Sequence, residues 1–264
     1  MSIIEGIVLG AIQGLTEFIP VSSSGHLVLA EHFMGIQPSL VFDGLVNLGT
    51  FLALLIYFRV RLWNICIRIF KNKDYRLARN ILISALPIGL IGYFYGDFFE
   101  QAFIQNAVTV TIMLAVFGVV MIMLERLPKL SLVKTEDELS PKRALAIGVA
   151  QVLSLVPGTS RSASTMVAGR IAGFTYSLAA EYSFLLSIPV LAGVILKVMV
   201  SREGRDFIVN NFGAWLASNV AAFIFGLAAV SFMLRYLSHG NFKVFGYYRL
   251  GLAGVLAIVL LLGL

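Results

Sequence analysis

Gln13-Gly-Leu-Thr-Glu17-Phe-Ile-Pro20-Val-Ser22-Ser23-Ser24-Gly-His26 is a polar stretch set inside an apolar run. A counterpart spans Gln151 to Thr165 and contains Pro157-Gly-Thr159-Ser160-Arg161-Ser162-Ala-Ser-Thr165. Gln13 and Glu17 stand four apart, so on a helix they share one face and can address one ligand. Pro20 stops that helix, and the hydroxyls of Ser22, Ser23 and Ser24 are suited to cap a new one. A helix start built of hydroxyls and free amides is a seat for phosphate. His26 follows Ser23 by three residues, a spacing at which hydroxyl and imidazole can meet as nucleophile and base. The second stretch restarts at hydroxyls too, now with Arg161, whose planar fork suits phosphate oxygens. Ser and Gly also let helices pack closely in membranes. Glu17, His26 and Arg161 nevertheless lie inside apolar segments, where ionisable groups are costly and mark functional sites.

Outward from these stretches the chain is oily. Of its 264 residues 59% are hydrophobic and 13% charged, and the mean hydropathy is +0.91. A soluble domain carries about twice that charge. The composition therefore predicts an all-α polytopic membrane protein. Six segments are long and apolar enough to cross a bilayer, roughly 40–59, 80–96, 107–125, 178–200, 213–236 and 247–264. The two polar stretches, about 3–36 and 144–174, instead read as an apolar helix, a break and a second short helix. That is the pattern of a re-entrant helix-loop-helix hairpin, tolerated at membrane depth where it is buried in protein or lines a cavity. Cys66 is the only cysteine, which excludes an intrachain disulfide and a cysteine metal cluster. The N-terminus lacks a basic n-region and a cleavage pattern and is expected to be retained. The net charge of +6 sits mostly in loops, where it sets topology and touches anionic lipid, so no nucleic-acid partner is expected.

Loop charge orients the chain. The linker 59–79 carries Arg59, Arg61, Arg68, Lys71, Lys73, Arg76 and Arg79 against Asp74, whereas 97–106 has Asp97 and Glu100 and no base. The first is predicted cytoplasmic. The same count puts 126–143, with Arg126, Lys129, Lys134, Lys142 and Arg143, inside, as well as the turn near Lys243 flanked by Arg235 and Arg249. Both termini then lie outside, and the two hairpins enter from opposite faces. Internal similarity agrees: Gly10-Ala-Ile-Gln13 matches Gly148-Val-Ala-Gln151, Pro20-Val-Ser-Ser23 matches Pro157-Gly-Thr-Ser160, and an acid follows at Asp43 and Glu181. The reading is a single integral membrane domain with one repeat over about 1–125, a second over about 144–264, and a cytoplasmic linker at about 126–143. An odd number of crossings per unit inverts the second copy, so the two breaks face each other near the midplane. Asp43, Asn47, Glu181 and Ser183 are placed near this centre, with Asp43 and Glu181 holding hairpin amides or Arg161. Glu31 and Arg170 are expected to reach the membrane interface.

These motifs resemble the undecaprenyl-diphosphate phosphatase family, the bacitracin-resistance type of integral membrane phosphatase. Its first signature, [E/Q]-x-x-x-E followed by P-V-S-S-[ST]-G-H, is matched by Gln13, Glu17 and Pro20 to His26. Its second, P-G-x-S-R-S-x-x-T, is matched by Pro157, Gly158, Ser160, Arg161, Ser162 and Thr165. A later E-[FY]-S-F-L-L run is matched by Glu181 to Leu186, with Ile188-Pro189 following. The resemblance implies hydrolysis of a C55 polyisoprenyl diphosphate to the monophosphate in the plasma membrane, which recycles the carrier lipid for cell-wall glycans. It also implies six spans, two re-entrant hairpins, an inverted repeat, a homodimer in many members, and a divalent cation, Mg²⁺ or Ca²⁺. Carried over by position, Ser23 is the nucleophile, and His26 is its base or an alternative nucleophile. Arg161 is the phosphate clamp, and Gln13 and Glu17 are the polar pair near metal or diphosphate. Ser22, Ser24, Thr159, Ser160, Ser162 and Thr165 line the substrate. Four positions depart from the common pattern: Gln13 where many members have Glu, Asn47 where Gln or His is usual, and Ala163-Ser164 for Gly-Ala. Ser24-Gly25-His26 also echoes phosphatidate-phosphatase-like enzymes, but the residue six beyond Arg161 is Val167, not the His that chemistry needs. The rival from another class is a polyprenyl-phosphate carrier using the same inverted-repeat site.

Overall fold

The computed structural model describes residues 1–37, 39–103, 106–126, 133 and 135–262, without the side chains of 97 and 100–103. The side chains of Asp97, Glu100, Lys129 and Lys134, used in the topology argument, thus lie outside the described residues. The chain begins with α1 (Ile3–Phe18) and α2 (Ser23–Met34), a broken helix. Ser2 starts α1 with a capping box, its hydroxyl accepting from the Glu5 amide while the Glu5 carboxylate accepts from the Ser2 amide. α1 stops two residues before Pro20, as a proline demands. α2 ends at Gly35, whose φ of 67° is the left-handed cap that glycine takes without cost. Then come α3 (Leu40–Tyr57), α4 (Arg59–Phe70), α5 (Arg76–Phe103) and α6 (Ala107–Leu124). The second half repeats the order: α7 (Pro141–Val152), a 3₁₀ turn at Leu153–Leu155, α8 (Arg161–Ile171), α9 (Tyr176–Val200), α10 (Arg202–Asn210), α11 (Phe212–Leu237) and α12 (Lys243–Leu262).

Six of these helices, α3, α5, α6, α9, α11 and α12, are long and apolar enough to cross a membrane. They coincide with the six expected segments, and the chain is a multi-pass membrane protein. Two of the expected loops are helices instead. The basic linker forms α4, in which Val60, Trp63, Ile67 and Phe70 are exposed along one stripe. Two of its bases pair with acids, Arg61 with Glu136 at 3.0 Å and Arg68 with Asp74 and Asp137 at 2.6 and 2.8 Å. Pairing charge with charge on one side while offering apolar side chains on the other is the pattern of a helix that lies along a membrane interface. The Asp74 carboxyl is held well below the ordinary carboxylate range by the hydrogen bonds from Arg76 and Arg68. The segment after residue 200 likewise forms α10.

Packing exchanges the halves. α1 packs on α11 and α7 on α5, while α3 meets α11 and α9 meets α5, and α6 meets α12. Each broken helix therefore leans on the second long helix of the other half. Glycine permits the closest of these approaches. A Cβ on Gly10 would stand 2.1 Å from the Ser218 carbonyl oxygen, and one on Gly148 would stand 2.5 Å from that of Ser84. The matched pair of glycines lets both helices approach backbone to backbone.

Candidate functional site

The two breaks meet. Glu17, on the last turn of α1, accepts from Arg161, the first residue of α8. Both side chains are about nine-tenths buried, at 9% and 10% exposed. The other Glu17 oxygen accepts from the Ser23 hydroxyl at 2.7 Å and from the Gln13 amide nitrogen at 3.0 Å. Gln13 also donates to Asn47 Oδ1 at 2.9 Å, and Asn47 donates onward to the Asp43 backbone oxygen at 2.6 Å. A carboxylate accepting from a guanidinium, a hydroxyl and an amide is thus the hub of the site. Arg161 keeps one terminal nitrogen, Nη1, without a partner among the described residues. That nitrogen is a charged donor available to an anion.

Each second helix starts the same way. Ser22 and Ser160 sit at φ 75° and 72°, a region that L-residues other than glycine rarely enter, at a cost of about 1–3 kcal/mol each. Both hydroxyls accept from the amide three residues on, Gly25 and Ala163, and both contact the serine two residues on, Ser24 at 3.2 Å and Ser162 at 3.1 Å. That cap takes the third amide of α2 and of α8, and the two amides before it in each helix can bind an anion. Ser23, Ser24, His26, Ser160 and Arg161 are partly exposed, while Gln13, Ser22, Thr159 and Ser162 are buried behind them. Ser162 reaches across to the Ile19 carbonyl at 3.4 Å, and the buried Thr159 hydroxyl has no partner among the described residues. Thr165 is turned away from this centre, toward the Ser183 hydroxyl at 2.6 Å.

Several expected partnerships differ. Ser23 and His26 are not hydrogen-bonded to each other. The His26 ring instead places Nδ1 2.7 Å from the Ser22 carbonyl and Nε2 2.7 Å from the Tyr248 hydroxyl. A carbonyl only accepts, so Nδ1 carries a proton, and a neutral ring then accepts at Nε2 from Tyr248. Glu181 faces Arg61 at 3.5 Å rather than the hairpins. Glu31 is buried at 1% exposure, and Arg170 stacks on the Tyr176 ring at 4.2 Å. Arg249, placed in a cytoplasmic turn by its neighbourhood in sequence, is fully buried. Its guanidinium donates to the Pro20 carbonyl of one break and to those of Gly158 and Thr159 of the other. Tyr248 and Arg249 thus bring α12 to the site. The only hint in the sequence was an arginine seven residues into an apolar helix.

The metal expected at Glu17 and Gln13 finds no ready seat. Both Glu17 oxygens are taken by protein donors, Gln13 presents nitrogen rather than oxygen to them, and no group of three metal-type side chains exists among the described residues.

The family described as "Bacitracin resistance protein BacA" matches residues 6–255. A protein named undecaprenyl-diphosphatase from Clavibacter michiganensis subsp. michiganensis is 37% identical over 98% of this chain and 97% of its own length. Undecaprenyl-diphosphatase 1 from Clostridioides difficile is 35% identical over 99% and 96%, and undecaprenyl-diphosphatase 2 from Paramagnetospirillum magneticum 32% over 98% and 99%. The matched span runs from α1 into α12 and takes in both breaks, and the chain belongs to the bacitracin resistance protein BacA family.

Proposed function

We propose that this protein hydrolyses undecaprenyl diphosphate to undecaprenyl phosphate and inorganic phosphate, returning the lipid carrier to cell-wall glycan synthesis. The observation that carries the reading is the Ser23–Glu17–Arg161 constellation at two facing helix starts. The hydroxyl already donates to a carboxylate, and the guanidinium has a nitrogen to spare. The relatives are named for hydrolysis, which favours an enzyme over a polyprenyl-phosphate carrier.

In the proposed step the diphosphate docks on the free amides of α2 and α8, and Arg161 turns from Glu17 to the phosphoryl oxygens. That exchange leaves the carboxylate to the Ser23 hydroxyl, which already donates to it. Ser23 Oγ attacks the terminal phosphorus in line, its proton passes to Glu17, and the anhydride oxygen leaves with the prenyl monophosphate. Water then attacks the phosphoserine, Glu17 returns its proton to Ser23 Oγ, and both water protons leave with the phosphate. His26, held by Ser22 and Tyr248, borders this path as a neutral donor or acceptor and is the alternative nucleophile. Gln13, Ser22, Ser24, Thr159, Ser160 and Ser162 shape the seat, and Thr165 supports α8 from behind. A divalent cation, Mg²⁺ or Ca²⁺, would come with the diphosphate, whose hard oxygens suit it, and would offset phosphate charge; Glu17 and Gln13 would hold it only after giving up their present partners.

The proposal extends to the membrane. The α1–α2 and α7–α8 pairs are re-entrant hairpins entering from opposite faces of the plasma membrane. The halves 1–125 and 144–264 are inverted repeats joined by the cytoplasmic linker 126–143, and both termini are extracytoplasmic. The exchanged packing of α1 on α11 and α7 on α5, and the matched φ at Ser22 and Ser160, support this arrangement. Two copies associate as a homodimer. The test is release of inorganic phosphate from polyprenyl diphosphate by purified protein in detergent. Ser23→Ala is expected to abolish release with melting unchanged, and full activity would reassign the nucleophile to His26 or water. Binding without release by the wild type would favour the carrier.

A further inference from the structure

Arg249 is the largest side chain fully buried in the described residues, at 0% exposure, in the first half of α12. Every acceptor it has is a backbone carbonyl. Nη1 donates to Pro20 at 3.3 Å; Nη2 donates to Gly158 at 2.6 Å, Thr159 at 3.1 Å and Met113 at 3.3 Å; and Nε donates to Leu114 at 3.4 Å. The guanidinium also lies 5.6 Å from the centre of the Phe117 ring. A buried cation without a carboxylate is expensive, and only a full set of well-placed acceptors makes it tolerable. Here the acceptors come from three separate segments: the first break, the second break and the middle of α6.

Their positions give the arrangement its meaning. Pro20 stands three residues before Ser23, and Gly158 and Thr159 stand three and two residues before Arg161. These carbonyls lie between a helix end and a helix start, where no helical amide reaches them. One planar group with a fixed fork of donors therefore sets the distance between the two loops that present the hydroxyl and the clamp. A lysine at this place would keep the charge, but a single point donor does not span both loops and α6.

We propose that Arg249 is a positioning residue for the hydrolysis, fixing the register of the two breaks so that Arg161 meets Glu17 and Ser23 across the gap. This rests on the reading of Glu17, Ser23 and Arg161 as the site. It acts through those groups and does not touch the reacting atoms.

The test compares Arg249→Lys and Arg249→Gln in detergent, each corrected to folded protein by its melting curve, in the wild-type and Arg161→Lys backgrounds. Misplacing reacting groups by about 1 Å costs up to about 100-fold in rate. Arg249→Lys is accordingly expected to lower kcat about 10- to 100-fold, with KM changed by less than about threefold. In the Arg161→Lys background, where the clamp that the register serves is already lost, the same change is expected to cost less than about threefold, the non-additivity of groups that act as a unit. A purely structural arginine would lower the folded fraction without changing activity per folded molecule. That result overturns the proposal, as does an equal loss in both backgrounds. Arg249→Gln serves if the lysine variant does not fold, and it is read by the same two criteria. Full activity of Ser23→Ala would instead overturn the nucleophile assignment and leave the Arg249 comparison standing.

Discussion

Glu17→Gln probes the hub directly, because the carboxylate serves three donors at once: Arg161, Ser23 at 2.7 Å and Gln13 at 3.0 Å. A glutamine has one acceptor oxygen and one donating nitrogen. If the oxygen stays with Arg161, the new nitrogen confronts the Ser23 hydroxyl, which can rotate to accept, and the Gln13 nitrogen, which cannot. Turning the Gln13 amide over would set its oxygen against Asn47 Oδ1, and turning Asn47 would forfeit its bond to the Asp43 carbonyl at 2.6 Å. No arrangement satisfies the chain. Removing one partner of a buried ion pair costs about 3–5 kcal/mol. The lower end applies here, since glutamine keeps one acceptor for a guanidinium that is 10% exposed. Loss of the proton acceptor adds a separate, kinetic penalty of about 10²- to 10⁴-fold in kcat. Melting in detergent reads the first quantity, and phosphate release per folded molecule reads the second. A variant whose kcat stays within about threefold of wild type would refute Glu17 as the group that takes the serine proton.

Two further outcomes follow from the same contacts. Tyr248→Phe removes the hydroxyl from His26 Nε2, a neutral hydrogen bond of about 0.5–1.5 kcal/mol, so kcat/KM is expected to fall about two- to tenfold. The change should be silent in a His26→Ala background, and a loss there as well would show that Tyr248 acts elsewhere. Gln13→Glu places a second carboxylate against Glu17 and withdraws the donor from Asn47, a repulsion that a bound cation would relieve. Added Mg²⁺ is expected to raise the melting temperature of Gln13→Glu more than that of wild type, and chelator to depress its activity further. Equal responses would place the cation away from these two side chains.

The six crossings were legible because long apolar runs answer to one solvent and need no tertiary partner to declare themselves. Both breaks were legible too, since Pro20 and the serines after it dictate a stop and a restart by local sterics and capping alone. The amphipathic helices α4 and α10 were hidden because their bases counted as loop charge. Only the folded chain shows Arg61 and Arg68 of α4 paired with Glu136, Asp74 and Asp137.

At the site, sequence spacing reached the residue types and the two helix starts, because both are written in adjacent residues. It did not reach the pairings. Three residues between Ser23 and His26 suggested a couple, yet the first turn of α2 bends the imidazole back to the Ser22 carbonyl and leaves the hydroxyl to Glu17 on another helix. Arg249 read as topology charge beside Lys243, and no local rule signals a guanidinium that binds carbonyls 229, 91 and 90 residues away. Hydrophobicity and capping are properties of neighbours along the chain. Which donor meets which acceptor depends on how helices rotate and approach, and here that was settled by glycines such as Gly10 and Gly148, which let α1 and α7 press against helices of the opposite half.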